Sequence, residues 1–137
     1  MEDTLQLQVN IDGLPLFKSS NHQFWPILGR VENIPSKAPF VIGIFSGTSK
    51  PTSLADCFHD FINEVSEIKE SGVVVSLVIC DAPAKAFIKN VKQYSGYFGC
   101  DKCTQEGEWL GKMTFPEINA LVRTDESFRL MTEDERY

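Results

Sequence analysis

Positive charge is scarce in this chain: Lys and Arg number 13 against 19 Asp and Glu, for a formal net charge of −6. That balance argues against a stand-alone nucleic-acid binder, because phosphate contacts need clustered Lys and Arg. Long hydrophobic runs are also missing. No segment approaches the ~20 apolar residues that span a bilayer, so no membrane role is expected. The opening residues Met1-Glu-Asp-Thr lack the basic and apolar regions of a secretory signal, which predicts a protein that is not secreted and resides in the nucleus or cytoplasm. Only two histidines and four cysteines are available as soft or borderline metal ligands. In an intracellular setting those cysteines point to metal binding or free thiols rather than disulfides. Low-complexity segments and internal repeats are absent.

What is present is a folded composition. Hydrophobic residues make up 42% of 137 residues, with ten Phe, enough for one domain with a substantial core. Leu5, Leu7, Val9 and Ile11 alternate with polar residues and predict a first strand over about 4–12 that ends at Asp12. Phe24–Val31 reads as a second strand. Its Pro26 has no amide donor, so an edge position or a later start is expected. Phe40–Phe45 is the third strand. Leu54, Phe58, Phe61, Ile62, Val65 and Ile68 recur at helical spacing up to about Lys69, with Ser53 as the cap. Val73–Cys80 is nearly continuous in apolar residues, as expected of a strand buried on both faces, and it closes on Asp81. A second helix is predicted over roughly 83–94. A short strand is expected at Trp109–Thr114 and a polar helix at about 124–136.

Short connections favour an antiparallel meander for the first three strands. The helix then acts as a right-handed crossover that lays the fourth strand parallel to the first. The expected fold class is therefore α/β with a mixed sheet. One domain spans 1–137, with a core over 4–94 followed by a cysteine-containing segment and tail over 95–137.

This topology gives two strand-end acids special interest. Asp12 and Asp81 would meet at the carboxyl edge of neighbouring parallel strands, where α/β sites form. Two carboxylates so placed repel unless a cation lies between them, and hard oxygen ligands suit Mg²⁺ or Mn²⁺. The plainer reading is that each acid caps the turn or helix that follows it. Gly96-Tyr-Phe-Gly-Cys100-Asp-Lys-Cys103 supplies a second constellation. Its C-x₂-C spacing offers two thiolates, half of a tetrahedral Zn²⁺ site, with a redox or structural pair as the alternatives. Cys57 and Cys80 read as core residues, and His22 and His59 as solvent-facing. Residues 84–102 carry Lys85, Lys89, Lys92 and Lys102 against Asp101 alone. Lys85 and Lys89 are the candidates to meet a nucleic-acid backbone, the alternative being solvated lysines. The aromatic residues Trp25, Trp109, Tyr94, Tyr97 and Phe98 would either stack on bases or fill the core.

The runs Asp12-Gly-Leu-Pro-Leu-Phe-Lys-Ser-Ser, Phe24-Trp-Pro-Ile-Leu, Val41-Ile-Gly-Ile-Phe-Ser-Gly, Cys80-Asp-Ala-Pro-Ala-Lys-Ala-Phe and Gly96-Tyr-Phe-Gly-Cys-Asp-Lys-Cys, taken in order, resemble CACTA (En/Spm)-type DNA transposases. The likeness extends over roughly residues 5–137. It implies the amino-terminal part of a ribonuclease H-like catalytic domain, in which an acidic triad and two divalent metals cleave DNA and join its ends to a target. Asp12 and Asp81 match the first two acids of that triad. Cys100 and Cys103 match a C-x-x-C that in related recombinases joins two later histidines around zinc. The third acid and the histidine pair have no counterpart here. Glu106, Glu108, Glu117 and Glu126 read as surface residues rather than as replacements. The expectation is a transposase-derived fragment, truncated product or domesticated remnant, inactive alone, with DNA, a missing carboxyl-terminal region or a second copy as partners. Two readings stand beside it: a domesticated, non-catalytic module binding protein or DNA, and an unrelated small α/β protein with accidental strand-end acids.

Overall fold

The computed structural model describes residues 4–16, 21–49, 51–132 and 136. Residues 17–20, between the first two expected strands, and residues 133–135 of the expected last helix lie outside that set. The chain divides into two compact units, Met1–Ala84 and Lys85–Tyr137.

The first unit is built on a mixed sheet. Strand β1 (Leu5–Ile11) pairs antiparallel with β3 (Gln23–Val31), and β3 pairs antiparallel with β4 (Phe40–Gly47). Helix α1 (Leu54–Glu70) then crosses back to β5 (Val73–Ile79), which lies parallel to β1. The expected meander, crossover helix and parallel fourth strand are all present in this α/β unit. A two-residue strand β2 (Leu14–Pro15) pairs with Phe24 and Gln23 of β3. It keeps the register of β1 on β3, so β2 is a continuation of β1 beyond a break at Asp12–Gly13. Opposite that break stand Pro26 and Trp25.

This register accounts for Pro26, which corrects the expectation of an edge strand. β3 is central, between β1 and β4, and runs through Pro26 without interruption. A residue with no amide hydrogen is tolerated there because the β1 ladder is already broken opposite it. Gly13 fits the same place: a Cβ on it would come within 2.8 Å of the Trp25 ring. Only glycine lets the backbone pass so close to that buried indole.

The core lies on one face of the sheet. Leu7, Val9 and Ile11 of β1, Trp25 and Ile27 of β3 and Phe58 of α1 are buried, Val9 completely. Each such side chain contributes about 1.5–3 kcal/mol through its removal from water. The other face of β1 carries Gln6, Gln8 and Asn10. There Arg30 donates to Gln8 Oε1 at 2.9 Å and to Glu32 Oε1 at 2.7 Å.

β5 departs from expectation. Its apolar run predicts burial on both faces, yet Leu77 and Val78 are 52% and 47% exposed, and Val74 and Ile79 are also open. The reason is position: β5 ends the sheet, with β1 on one side and no strand on the other among the described residues. A bulge interrupts its pairing, since Leu7 faces Val75 whereas Gln8 faces Leu77. The extra residue, Ser76, donates its hydroxyl to the Leu7 carbonyl at 3.3 Å.

Helix α2 (Ala82–Ile88) is shorter than the 83–94 expected. Asn90 adopts a left-handed φ of 51°, Val91 N donates to Ala86 O and Asn90 N to Phe87 O. That pair of bonds is a Schellman closure with asparagine in the position glycine usually takes.

The second unit has little regular structure. The strand expected at Trp109–Thr114 is instead a small hairpin, β6 (Glu108–Trp109) against β7 (Met113–Thr114). Within the helix expected over 124–136, the described residues form α3 (Asp125–Arg129), with Thr124 and Ser127 capping each other's backbone. Met131, at a φ of 46°, follows its carboxyl-terminal cap. Among the described residues no helix is long and apolar enough to cross a membrane.

Candidate functional sites

The β1–β5 register pairs Asn10 with Ile79. Continued two residues, it sets Asp12 beside Asp81 at the carboxyl ends of adjacent parallel strands. Asn10 and Ile79, which precede them by two residues, lie on the sheet face opposite the apolar core. Asn10 ties the two strand ends together by donating its amide to the Ile79 carbonyl at 3.3 Å.

Each aspartate also does local work. Asp12 Oδ1 accepts from the Gly13 amide at 2.8 Å, and Asp81 Oδ1 accepts from the Ala84 amide at 2.7 Å, capping the first turn of α2. The capping expected of such residues and their juxtaposition therefore coexist. One oxygen of each is engaged, and the second oxygen of each has no protein partner among the described residues. Two hard carboxylate donors on adjacent strand ends fit a divalent cation in kind. No group of three or more His, Cys, Asp or Glu side chains that could hold a metal ion occurs among the described residues.

The C-x₂-C pair lies in the second unit. Cys100 Sγ and Cys103 Sγ are 3.1 Å apart, well beyond the ~2.05 Å of a disulfide, so both are free thiols. A Cβ at Gly99 would collide with the Gln93 carbonyl oxygen at 1.9 Å, so only glycine lets the chain enter the knuckle along this path. The returning segment 121–123 holds the far side. Thr104 N donates to Leu121 O, Arg123 N donates to Lys102 O, and Cys103 bridges to Val122. Gln105 donates its amide to Cys103 Sγ at 2.9 Å and exchanges further bonds with the Glu117 backbone.

Burial pushes the Cys103 thiol up. The hydrogen bonds from Gln105 and Cys100 and the positive charge of Arg123 outweigh it, leaving the thiol below its ordinary value. The donors present fit half of a zinc site. Cys57 and Cys80, read as core residues, are half-buried, and burial raises the Cys57 thiol. His59 is exposed on α1 beside Asp60 and Asn63, and His22 is exposed as well.

Lys85 and Lys89 converge on one acid. Lys85 Nζ pairs with Asp101 Oδ2, and Lys89 Nζ lies 3.1 Å from Asp101 Oδ1. Arg136 is 3% exposed and adds a third cation at 3.3 Å, while its other nitrogen donates to Cys100 O at 2.6 Å and Phe98 O at 3.2 Å. Burial raises the Asp101 carboxyl, but the hydrogen bonds and charges of Lys85 and Lys89 hold it below the usual aspartate value. Three cations on one carboxylate leave a local excess of positive charge in an otherwise acidic chain. Asp101, Arg136, Arg123 and Gln105 escaped the sequence reading as organisers. The available signal was Asp101 standing as the sole acid among the lysines of 84–102.

The aromatic residues split. Trp25 is core, whereas Trp109, Tyr94 and Tyr97 are more than half exposed. No protein-family model matches this chain, and no curated protein or solved structure is significantly similar to it.

Proposed function

We propose that this protein carries the amino-terminal part of a ribonuclease H-like core of the CACTA transposase type, with Asp12 and Asp81 as two of its metal-holding acids. One observation carries the reading: the parallel register of β1 and β5, which aligns the two aspartates at one sheet edge. The strand order supports it too, since an antiparallel meander followed by a crossover to a parallel partner of β1 is the arrangement that such a core requires.

Bound Mg²⁺ or Mn²⁺ would supply activation of a hydroxyl and charge stabilisation at a phosphate. The chain's own contribution is to fix two carboxylates side by side, each orientated by a backbone amide. With no third acid beside them among the described residues, DNA cleavage by this chain alone is not expected. Cys100 and Cys103 would hold Zn²⁺ if two further donors join them. Lys85 and Lys89, both partly exposed beside Asp101, are the side chains that would face a DNA backbone. On this reading the protein works in the nucleus or the cytoplasm, with DNA, a second copy or the rest of a transposase.

Mn²⁺-enhanced water-proton relaxation tests the metal claim. Weak binding is expected for the native chain, reduced in Asp12→Asn and in Asp81→Asn and abolished in the double variant. Absence of binding, or equal binding by the double variant, would sink it. A nicking assay with Mn²⁺ on supercoiled DNA is expected to show no cleavage.

The second reading, a non-catalytic interaction module, is favoured by a separate observation. Apolar side chains of β5 lie bare at the end of the sheet, a surface suited to a partner rather than to chemistry. Failed Mn²⁺ binding by an intact fold would favour it over the metal reading.

A further inference from the structure

Helix α1 is strongly acidic: Asp56, Asp60, Glu64, Glu67 and Glu70 stand against Lys69 alone. Asp56, Asp60 and Glu64 recur every fourth residue and Glu67 follows three later, so these four acids form one stripe along the helix. The stripe borders a groove whose opposite wall is β4. Towards the amino end of α1, a hollow of about 350 Å³ lies between Asp56, Asp60 and Glu64 on one side and Gly43, Ile44 and Phe45 on the other. Towards the carboxyl end, a hollow of about 490 Å³ is lined by Leu5, Phe40, Val41 and Ile68, with Glu64 and Glu67 beside them. Ile42, Phe61 and Glu64 line both, so the two are continuous. The floor is open to solvent at Phe40, which is 46% exposed and, with Ile42, lies over Gly29 on the core face of the sheet.

An apolar floor beside a wall of acids selects its occupant by chemistry. Like charge excludes nucleic acid, anionic lipid and the same acidic helix of a second copy. A cationic segment with an apolar stripe satisfies both surfaces at once. The acids recur at one-turn intervals over about three turns, which matches Lys or Arg repeating at the same interval on a facing helix.

We propose that the α1–β4 groove docks a basic amphipathic helix of a protein partner. Its apolar side chains would lie on Phe40, Ile42 and Phe61, and its cations against Asp60, Glu64 and Glu67. This holds independently of the roles of Asp12 and Asp81.

Fluorescence anisotropy of the full chain with a labelled synthetic leucine–lysine helix of ~18 residues, about five turns, tests the proposal. The amphipathic peptide is expected to bind at least about tenfold more tightly than a scrambled peptide of the same composition, because only the ordered stripe meets the apolar floor. Glu64→Lys/Glu67→Lys should weaken it by about tenfold or more, whereas Glu108→Lys/Glu126→Lys, an equal charge change away from the groove, should leave binding within about twofold. Ile42→Ser should also weaken it, with circular dichroism confirming an intact fold. Equal binding of the scrambled peptide, or equal loss in both charge pairs, would overturn the proposal. So would a bound peptide that is extended rather than helical, or sedimentation showing a dimer that Ile42→Ser dissociates.

Discussion

Residues 1–84 are held by apolar side chains packed between a hydrogen-bonded sheet and a helix, whereas residues 85–137 are held by charged and polar side chains reaching backbone carbonyls. In the first unit Val9, Ile11, Trp25 and Ile27 share one sheet face and are withdrawn from water. In the second, the deepest charged side chain among the described residues is Arg136, which bonds Phe98 O, Cys100 O and Asp101. Apolar burial is non-directional and tolerates adjustment. A buried cation is not tolerant, because a lost partner leaves a desolvated charge. The first unit should therefore respond to changes of volume and the second to changes of charge and pH.

The largest expected effect comes from the core. Trp25→Ala should cost about 3–5 kcal/mol in unfolding of the first unit, read by chemical denaturation. A loss below about 1 kcal/mol, the size of a typical surface change, would break the comparison. Arg136→Ala should destabilise the second unit by about 2–3 kcal/mol, since two carbonyls and a carboxylate lose a shared donor. Hydrogen exchange at the amides of Thr104 and Arg123, which close the cysteine knuckle, is the sensitive readout.

Asp101 sharpens the contrast through pH. Its folded carboxyl is depressed, so its contribution is complete above the ordinary value of 3.8 and is lost as pH falls through the lower folded value. Asp101→Asn should remove that acid sensitivity from the second unit and cost on the order of 1 kcal/mol at neutral pH. If the acid limb of the unfolding profile is unchanged in the variant, Asp101 does not govern it. Smallest is Ser53→Ala, which removes the hydroxyl that accepts from Asp56 N at 3.1 Å at the start of α1. It should cost roughly 0.5–1 kcal/mol, confined to the first unit.

The same contrast explains what could be read from the sequence. Alternation at Leu5–Ile11 and helical spacing from Leu54 announce β1 and α1, because burial of one face imposes a period. Short loops and the handedness of crossovers then order the sheet and bring Asp12 and Asp81 to one edge. The bareness of β5 was hidden, since an apolar run reads alike whether other elements cover it or not. The place of Pro26 was hidden too, because it depends on a ladder break in another strand. The second unit left almost no trace. Asp101 and Arg136 lie 35 residues apart and have no period to reveal them. The Cys100–Cys103 spacing predicted close sulfurs, but not that Gln105 and Arg123 would surround them.

Ser76 decides which side chain accompanies Asp12. Before the bulge, β1 and β5 pair Leu5 with Val73 and Leu7 with Val75. Carried on unbroken, that offset would bring the thiol of Cys80 alongside Asp12 and turn Asp81 to the other side of the sheet. One inserted serine thus sets a second carboxylate, rather than a thiol, alongside Asp12.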